Sequence, residues 1–478
     1  MNKNDIVSVT ITDLTTEGEG IGRNGAFPLF IKDTMPGDTV KAVVTKLKKT
    51  YGYGKALEIL EPSADRVPMR CPIARRCGGC QISEMDYAAQ LRFKTEKVKN
   101  NLQRIGGLEV YVKEPGEETA VQSGKKAPVF PCIGMEAPWH YRNKAQVPFG
   151  KSRDGEIICG FYAGRSHEII ASEDCLLTPP EFGGILRLVK DWMKRNAVEP
   201  YDEITGKGLV RHVLVRKGFK SGEILVCLIV NGEKIPAAED LIASLKAEIG
   251  GFKTLSVNVN KIPGNTILGP ETRHIYGPGY IEDTLSGVRF RISPQSFYQV
   301  NPMQTEVLYQ KALEYAGLTG KENVWDLYCG IGTISLFLAR TAGKVYGVEI
   351  IPQAIEDARE NARINGFTNT DFYVGKAEEV LPRWYEEHPE EKIDVIVVDP
   401  PRKGCDGKCL ETIGKMQPRR VVYVSCDSAT LARDLKVLTE QYGYRLEKVQ
   451  PVDQFCQTVE VETVALLSKL SEAGIILK

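Results

Sequence analysis

The sequence predicts an α/β protein whose C-terminal part is a doubly wound parallel sheet. Three observations predict it. From about residue 290, short apolar runs alternate with helical ones, which is the β-α-β pattern of parallel sheets. The first of these strands, in N-V-W-D-L-Y-C-G-I-G, passes through a glycine turn into a helix. Later strands end on reactive or charged residues: Asp399 after I-D-V-I-V-V and Cys426 after V-V-Y-V-S. Such ends are where open α/β sheets bind ligands and do chemistry.

A chain of 478 residues is too long for one ordinary core, and two to four domains are expected. The divisions expected are 1–60, 61–288 and 289–478. Apolar content of 42% with 26% charged residues describes a water-soluble globular protein. The start, M-N-K-N-D, has no apolar core of a leader peptide, and no run reaches the length that spans a bilayer. A cytoplasmic location is therefore expected, where thiols stay reduced and twelve cysteines point to metal, cluster or catalytic use. Equal numbers of basic and acidic residues, 62 each, exclude whole-chain charge as the basis for binding nucleic acid. Local charge remains: Lys41 to Lys55 carries five lysines and no acid, with Tyr51 and Tyr53 interleaved. That mixture suits phosphate contacts and base stacking, or a solvated lysine face.

Residues 1–60 read as all-β. V-S-V-T-I-T-D-L alternates as a strand, glycines at 18, 20, 22 and 25 follow, and P-L-F-I, T-V-K-A-V-V-T-K-L and K-A-L-E-I-L complete four or five strands. Their number and length suit a small barrel of the oligonucleotide-binding kind. E-G-E-G-I-G-R and M-P-G-D-T-V resemble the TRAM domain, an RNA-binding barrel attached to RNA-modifying enzymes.

Residues 61–288 open with Cys71, Cys77 and Cys80 in C-P-I-A-R-R-C-G-G-C. Three cysteines at this spacing predict a metal centre with a fourth thiolate from elsewhere, Cys132, Cys159 or Cys175. Zinc on four thiolates is the structural alternative, although zinc ribbons more often carry two C-x2-C pairs. D-Y-A-A-Q-L-R-F-K-T-E-K-V-K-N-N-L predicts a helix, and residues 111–130 predict a surface loop or insertion. Beyond them, strand-like runs (156–162, 208–216, 223–230) alternate with helical ones (186–195, 238–248). W-H-Y-R-N-K begins this part, either as a strand edge or as a face toward nucleic acid.

In residues 289–478, Gly330 and Gly332 follow Asp326 where backbone must approach a ligand closely. Glu349, at the end of K-V-Y-G-V-E, is placed to accept hydrogen bonds from a ribose diol. A full G-x-G-x-x-G is absent, so a dehydrogenase stays open beside other nucleotide-cofactor enzymes. Asp399 stands before Pro400 and Pro401, a stiff turn that fixes it at a strand end. Gln299 and Asn301, in Q-V-N-P before a helix, suit capping and hydrogen bonds to a cofactor. Cys426 is the candidate nucleophile, with a buried structural thiol as the alternative. If 458–464 is a strand, Glu460 and Glu462 share a face, and mutual repulsion would raise one pKa into the range of a general base.

Together these motifs resemble the RNA 5-methyluridine methyltransferases, specifically the cluster-containing bacterial enzymes acting on 23S ribosomal RNA. The TRAM motifs, the cysteine cluster, Q-V-N-P, D-L-Y-C-G-I-G, V-D-P-P-R-K-G, V-S-C-D-S-A-T-L-A-R-D and D-x-F-x-Q-T-x-x-V-E-T carry the resemblance across nearly the whole chain. It implies a Rossmann-like domain dependent on S-adenosyl-L-methionine, behind an RNA-binding barrel and an α+β central domain with an iron–sulfur cluster. By the same resemblance Cys426 is the nucleophile and Glu462 the base. Gln299, Tyr328, Glu349 and Asp399 match cofactor-contacting positions, and Cys71, Cys77, Cys80 and Cys175 match the ligands of a 4Fe-4S cluster with a structural role. RNA is the implied partner, 23S ribosomal first and transfer RNA second; no membrane or obligate protein partner is implied. Two positions depart from the family pattern. Glu460 stands where the family usually has His, and Cys456 where it often has Pro. The competing readings are a non-catalytic RNA-binding module and an amino-group methyltransferase, which needs no thiol.

Overall fold

The computed structural model describes residues 1–114, 116, 126–164 and 166–470. Strands Ile6–Leu14, Gly20–Asn24, Phe27–Lys32, Thr39–Leu47 and Gly52–Glu61 close into a five-stranded barrel, the fifth lying between the third and fourth. Its core is Val9, Ile11, Leu29, Ile31, Val40 and Ala42, set at alternate positions as a half-buried strand requires. The glycine run exists for close packing: a Cβ at Gly22 would run into Val9. Buried Asp38 fastens the barrel to the next segment, accepting hydrogen bonds from the amides of Met35 and Ser63 (2.9 Å each) and from Arg66. The five lysines between 41 and 55 are exposed and in no ion pair among the described residues. Phe30, Tyr51 and Tyr53 cluster beside them with ring centroids 5.3–5.8 Å apart.

Helix Tyr87–Arg104, capped by Asp86, confirms the helical reading of D-Y-A-A-Q-L. Its Val98 and Leu102 pack into the core of the C-terminal sheet. Residues 144–276 form a seven-stranded sheet, in spatial order Ile169–Ala171, Ile157–Tyr162, Lys144–Lys151, Val210–Lys217, Ile224–Val230, Phe252–Val259 and Glu271–Tyr276. Helices Glu181–Arg195 and Ala238–Glu248 cover it through Ile185, Val189, Trp192, Leu241 and Leu245.

The C-terminal sheet has nine strands, in order Thr370–Val374, Lys344–Glu349, Asn323–Leu327, Val395–Val398, Arg420–Ser425, Glu462–Lys469, Tyr444–Val452, Ala127–Val129 and Val110–Val112. The first five are parallel and separated by helices, the doubly wound arrangement expected. The chain winds outward from Asn323–Leu327 in one direction and then, from Val395–Val398, in the other. A crevice opens between those two strand ends.

The structure corrects two expectations here. The stretch 111–130 is not simply a surface loop: its described ends lie in strands Val110–Val112 and Ala127–Val129, which extend the C-terminal sheet beyond a boundary at 289. Backbone pairing at the sheet edge overrode a composition rich in charge, glycine and proline. Residues 115 and 117–125 of that loop lie outside the described residues. The strand expected over 458–464 begins only at Glu462, so Glu460 precedes it. Among the described residues no helix is long and apolar enough to cross a membrane.

Candidate active site at the switch point of the C-terminal sheet

The crevice is a cavity of about 770 Å³, and Gln299, Tyr328, Glu349, Asp399, Cys426 and Glu462 all line it. One wall is the turn after strand Asn323–Leu327. Gly330 and Gly332 adopt positive φ (+55° and +82°), and Gly332 starts helix Thr333–Ala339. Tyr328, itself at φ +68°, and Cys329 both donate their amides to the Val348 carbonyl at 3.0 Å. Beneath the turn, the buried Asp326 carboxyl accepts from Ser335, and desolvation raises its pKa to about 7. Glu349 lies at the next strand end, one oxygen accepting the Ile351 amide at 3.0 Å.

The opposite wall carries the reactive groups. Antiparallel pairing of Ser425 with Thr463 puts Cys426 and Glu462 side by side where their strands leave the sheet. The Cys426 thiol is half-buried. Desolvation, with the nearby Glu462 and Asp399 carboxyls, pushes it up to about 12, and Arg402 opposes them. Glu462 is 2% exposed, and its Oε2 has no hydrogen-bond partner among the described residues. Burial first, then Asp399 and Glu460, raise it well above the ordinary carboxyl range. Asp399 is raised to about 7 by desolvation. An unpartnered carboxyl with raised pKa, beside a thiol, is suited to move a proton at a bound substrate.

The same-face argument for Glu460 and Glu462 gives way to a different pair. Glu460 is half-exposed and ion-paired to Arg402 at 3.2 Å, while Asp399 acts on Glu462 more strongly than Glu460 does. Gln299 and Asn301 also divide their roles. Gln299 lines the cavity, whereas Asn301 is fully buried, caps helix Pro302–Ala316 through the Gln304 amide and donates to the Gln454 carbonyl. The loop before Glu462 is held from below by the buried Lys94–Asp453 ion pair, by Tyr87, which donates to Asp453 at 2.7 Å, and by Lys94, which donates to the Phe455 carbonyl. Cys456 is packed there with Tyr141 and Leu177. Arg402, Phe297 and Phe455 also line the cavity and were not singled out from sequence. Arg402 was legible within D-P-P-R-K-G and Phe455 within D-x-F-x-Q-T; Phe297 carried no local signal.

Of the cysteines, Cys71, Cys77, Cys80 and Cys175 lie near enough to act on one another electrostatically: Cys80 is raised by Cys175, Cys77 and Cys71 after burial, and Cys77 by Cys71. Cys159 instead belongs to the core of the central sheet, and the thiol of Cys132 is influenced by Asp453 and Lys94. All four clustered cysteines are free thiols. Among the described residues no three His, Cys, Asp or Glu side chains are gathered tightly enough for a single metal ion.

Comparison with known proteins adds to this geometry. The family described as tRNA (Uracil-5-)-methyltransferase matches residues 271–470, and the TRAM domain matches residues 2–57. An uncharacterized RNA methyltransferase of Halalkalibacterium halodurans is 50% identical over 467 residues, covering 98% of both chains. One from Clostridium tetani is 45% identical over 468 residues, covering 98% of this chain and 97% of its own. The Pyrococcus abyssi tRNA (uracil-54, C5)-methyltransferase, solved with S-adenosyl-L-homocysteine, superposes with a TM-score of 0.73 at 24% identity, covering 96% of this chain and all of that one, and so shares its fold. The chain belongs to the uracil-5 RNA methyltransferase family and carries an N-terminal TRAM domain.

Proposed function

We propose that this protein methylates carbon 5 of a uridine in 23S ribosomal RNA, using S-adenosyl-L-methionine and a covalent Cys426–uracil adduct. The observation that carries the reading is the convergence of Cys426, Glu462 and Asp399 in one cavity at the switch point. Carbon 5 of uracil is too weak a nucleophile to take a methyl group unaided. Addition of the Cys426 thiolate at carbon 6 makes the ring an enolate, and carbon 5 becomes nucleophilic. Glu462 removes the carbon 5 proton, and elimination of Cys426 restores the ring. A uridine lifted from its stack exposes both faces to these groups, and the barrel and the seven-stranded central sheet would grip the RNA around it.

S-adenosyl-L-methionine, when bound, supplies the electrophilic methyl group. Gln299, Tyr328, Glu349 and Asp399 would hold it: the cavity they line is roomy, and Glu349 at its strand end offers a free oxygen to a ribose diol. Cys71, Cys77, Cys80 and Cys175 would hold a 4Fe-4S cluster. They are four thiols of matching number and chemistry, mutually close but not drawn in around one ion. Its role would be structural, fixing the segment between barrel and catalytic domain, in a reducing cytoplasmic compartment. The absorption spectrum of anaerobically purified protein tests that part.

Transfer RNA is the second reading, favoured by the match of residues 271–470 to the family described as tRNA (Uracil-5-)-methyltransferase. Mapping 5-methyluridine in both RNAs from cells lacking the protein decides between them. Loss of 5-methyluridine from ribosomal RNA is expected, and loss confined to transfer RNA would favour the second reading. Intact 5-methyluridine in both would remove the proposal.

A further inference from the structure

The motif W-H-Y-R-N-K holds a group of cations that the fold does not use. Tyr141 is fully buried and donates to the Cys456 carbonyl at 3.0 Å, which fixes the segment against the loop before Glu462. Asn143 binds the cavity wall on its other side: its amide donates to Val300 at 2.8 Å and its side chain to the Gln299 carbonyl at 2.9 Å. Arg142 and Lys144 flank Asn143. Lys144 is the direct cross-strand partner of Arg216, and like charges so placed destabilise a sheet.

Among the described residues no carboxylate pairs with Arg142, Lys144 or Arg216. The groups acting on Lys144 are burial, Arg216 and Arg142, and together they push its ammonium down to about 7. Neither the Arg142 nor the Lys144 side chain makes an ion pair or hydrogen bond among the described residues. Arg216 is 2% exposed; it donates to the carbonyls of Ser296 and Pro294, while its Nε has no partner among the described residues. The Asn143 Oδ1 is likewise buried and unpartnered. The Ser296 carbonyl immediately precedes Phe297, which lines the catalytic cavity together with Gln299. Three cations held half-dry beside the cavity, with no paired anion among the described residues, are a site awaiting one.

We propose that Arg142 and Lys144, backed by Arg216, seat a backbone phosphate of the RNA next to the uridine in the cavity. This rests on the reading that the chain methylates RNA. It explains how a chain of zero net charge draws a polyanion to one mouth: the attraction is local, and the same segment that holds Gln299 carries it. Arg142 also acts on Cys80 and Cys175, so the site lies between the cysteine group and the cavity.

Binding of a fluorescein-labelled oligouridylate, measured by anisotropy over a range of salt concentrations, tests the site. Lys144→Gln and Arg142→Gln are each expected to weaken binding about tenfold and to reduce the slope of log K against log salt by about 0.7. Lys144→Arg is expected to keep the wild-type slope, and affinity for S-adenosyl-L-homocysteine is expected to stay unchanged in all three. Unchanged slopes in both neutral variants, with RNA still bound and methylated by the wild type, would overturn this site alone. Equal loss of RNA and S-adenosyl-L-homocysteine binding in both would also overturn it, because the residues would then be holding the fold. A wild type without affinity for RNA would overturn both this site and the reading it rests on.

Discussion

Cys426 and Glu462 leave neighbouring antiparallel strands side by side, because Ser425 and Thr463 are cross-strand partners. A nucleophile and a proton acceptor are thus placed on the sheet itself rather than on separate loops. Their separation is set by backbone hydrogen bonds, which makes the pair rigid. The two groups also disfavour each other's charge, since the Glu462 carboxyl is one of the causes holding the Cys426 thiol protonated. Only one of them is readily ionised at a time, as a sequence of addition, proton removal and elimination requires.

Removing the carboxyl while keeping its shape separates those steps. Glu462→Gln is expected to lower turnover by about 10²- to 10⁴-fold, in the range of general-base contributions. The covalent RNA–protein complex should persist on a denaturing gel, because its carbon 5 proton has no acceptor. Turnover at the wild-type rate would remove Glu462 from the mechanism.

The free thiol should be sluggish. With Cys426 pushed up to about 12 by burial, Glu462 and Asp399, its alkylation by iodoacetamide at pH 8 should be slow, followed by mass spectrometry of its peptide. Asp399→Asn and Glu462→Gln remove neighbouring negative charge and should speed it. Arg402→Ala removes the opposing positive charge and should slow it further.

Stability should fall as pH rises. Asp326 and Asp399 have folded-state pKa values raised from 3.8 to about 7 by desolvation. Below pH 4 both groups are protonated in folded and unfolded chains, so neither opposes folding. Between pH 4 and 7 the unfolded chain loses these protons first, and stability declines until the folded pKa is passed. Thermal unfolding of the protein should therefore show a lower Tm at pH 8 than at pH 5, and Asp399→Asn should flatten the difference.

Lys94→Met leaves Asp453 buried without its cation and should cost about 3–5 kcal/mol in urea unfolding. Replacing both, Lys94→Met with Asp453→Leu, should recover part of that loss. Equal destabilisation in single and double variants would show that the loss does not come from the stranded Asp453 charge.

Much of the site was legible in the sequence because its residues stand at strand ends. Asp326, Glu349, Asp399 and Cys426 each close an apolar run, and a parallel sheet gathers such ends at one edge. Glu462 was found by its motif, but its partner was misjudged. Spacing puts Glu460 two residues away, whereas the strand starts at Glu462 and Asp399 approaches from another strand. The barrel was legible for the same local reason, alternation between glycine turns. Strands Val110–Val112 and Ala127–Val129 were not, since three residues of edge pairing leave no periodicity to read. The Lys94–Asp453 pair joins residues far apart in the chain, and no local pattern announces such a contact.

The central claim is a bond between the Cys426 sulfur and carbon 6 of uracil. Incubating the protein and S-adenosyl-L-methionine with target RNA carrying 5-fluorouridine tests it most directly, because fluorine cannot be removed from carbon 5 as a proton. Mass spectrometry should find the Cys426 peptide joined to a methylated 5-fluorouracil nucleotide, and no such species with Cys426→Ala. Full methylation of the natural RNA by Cys426→Ala, or an adduct on a different residue, would contradict it.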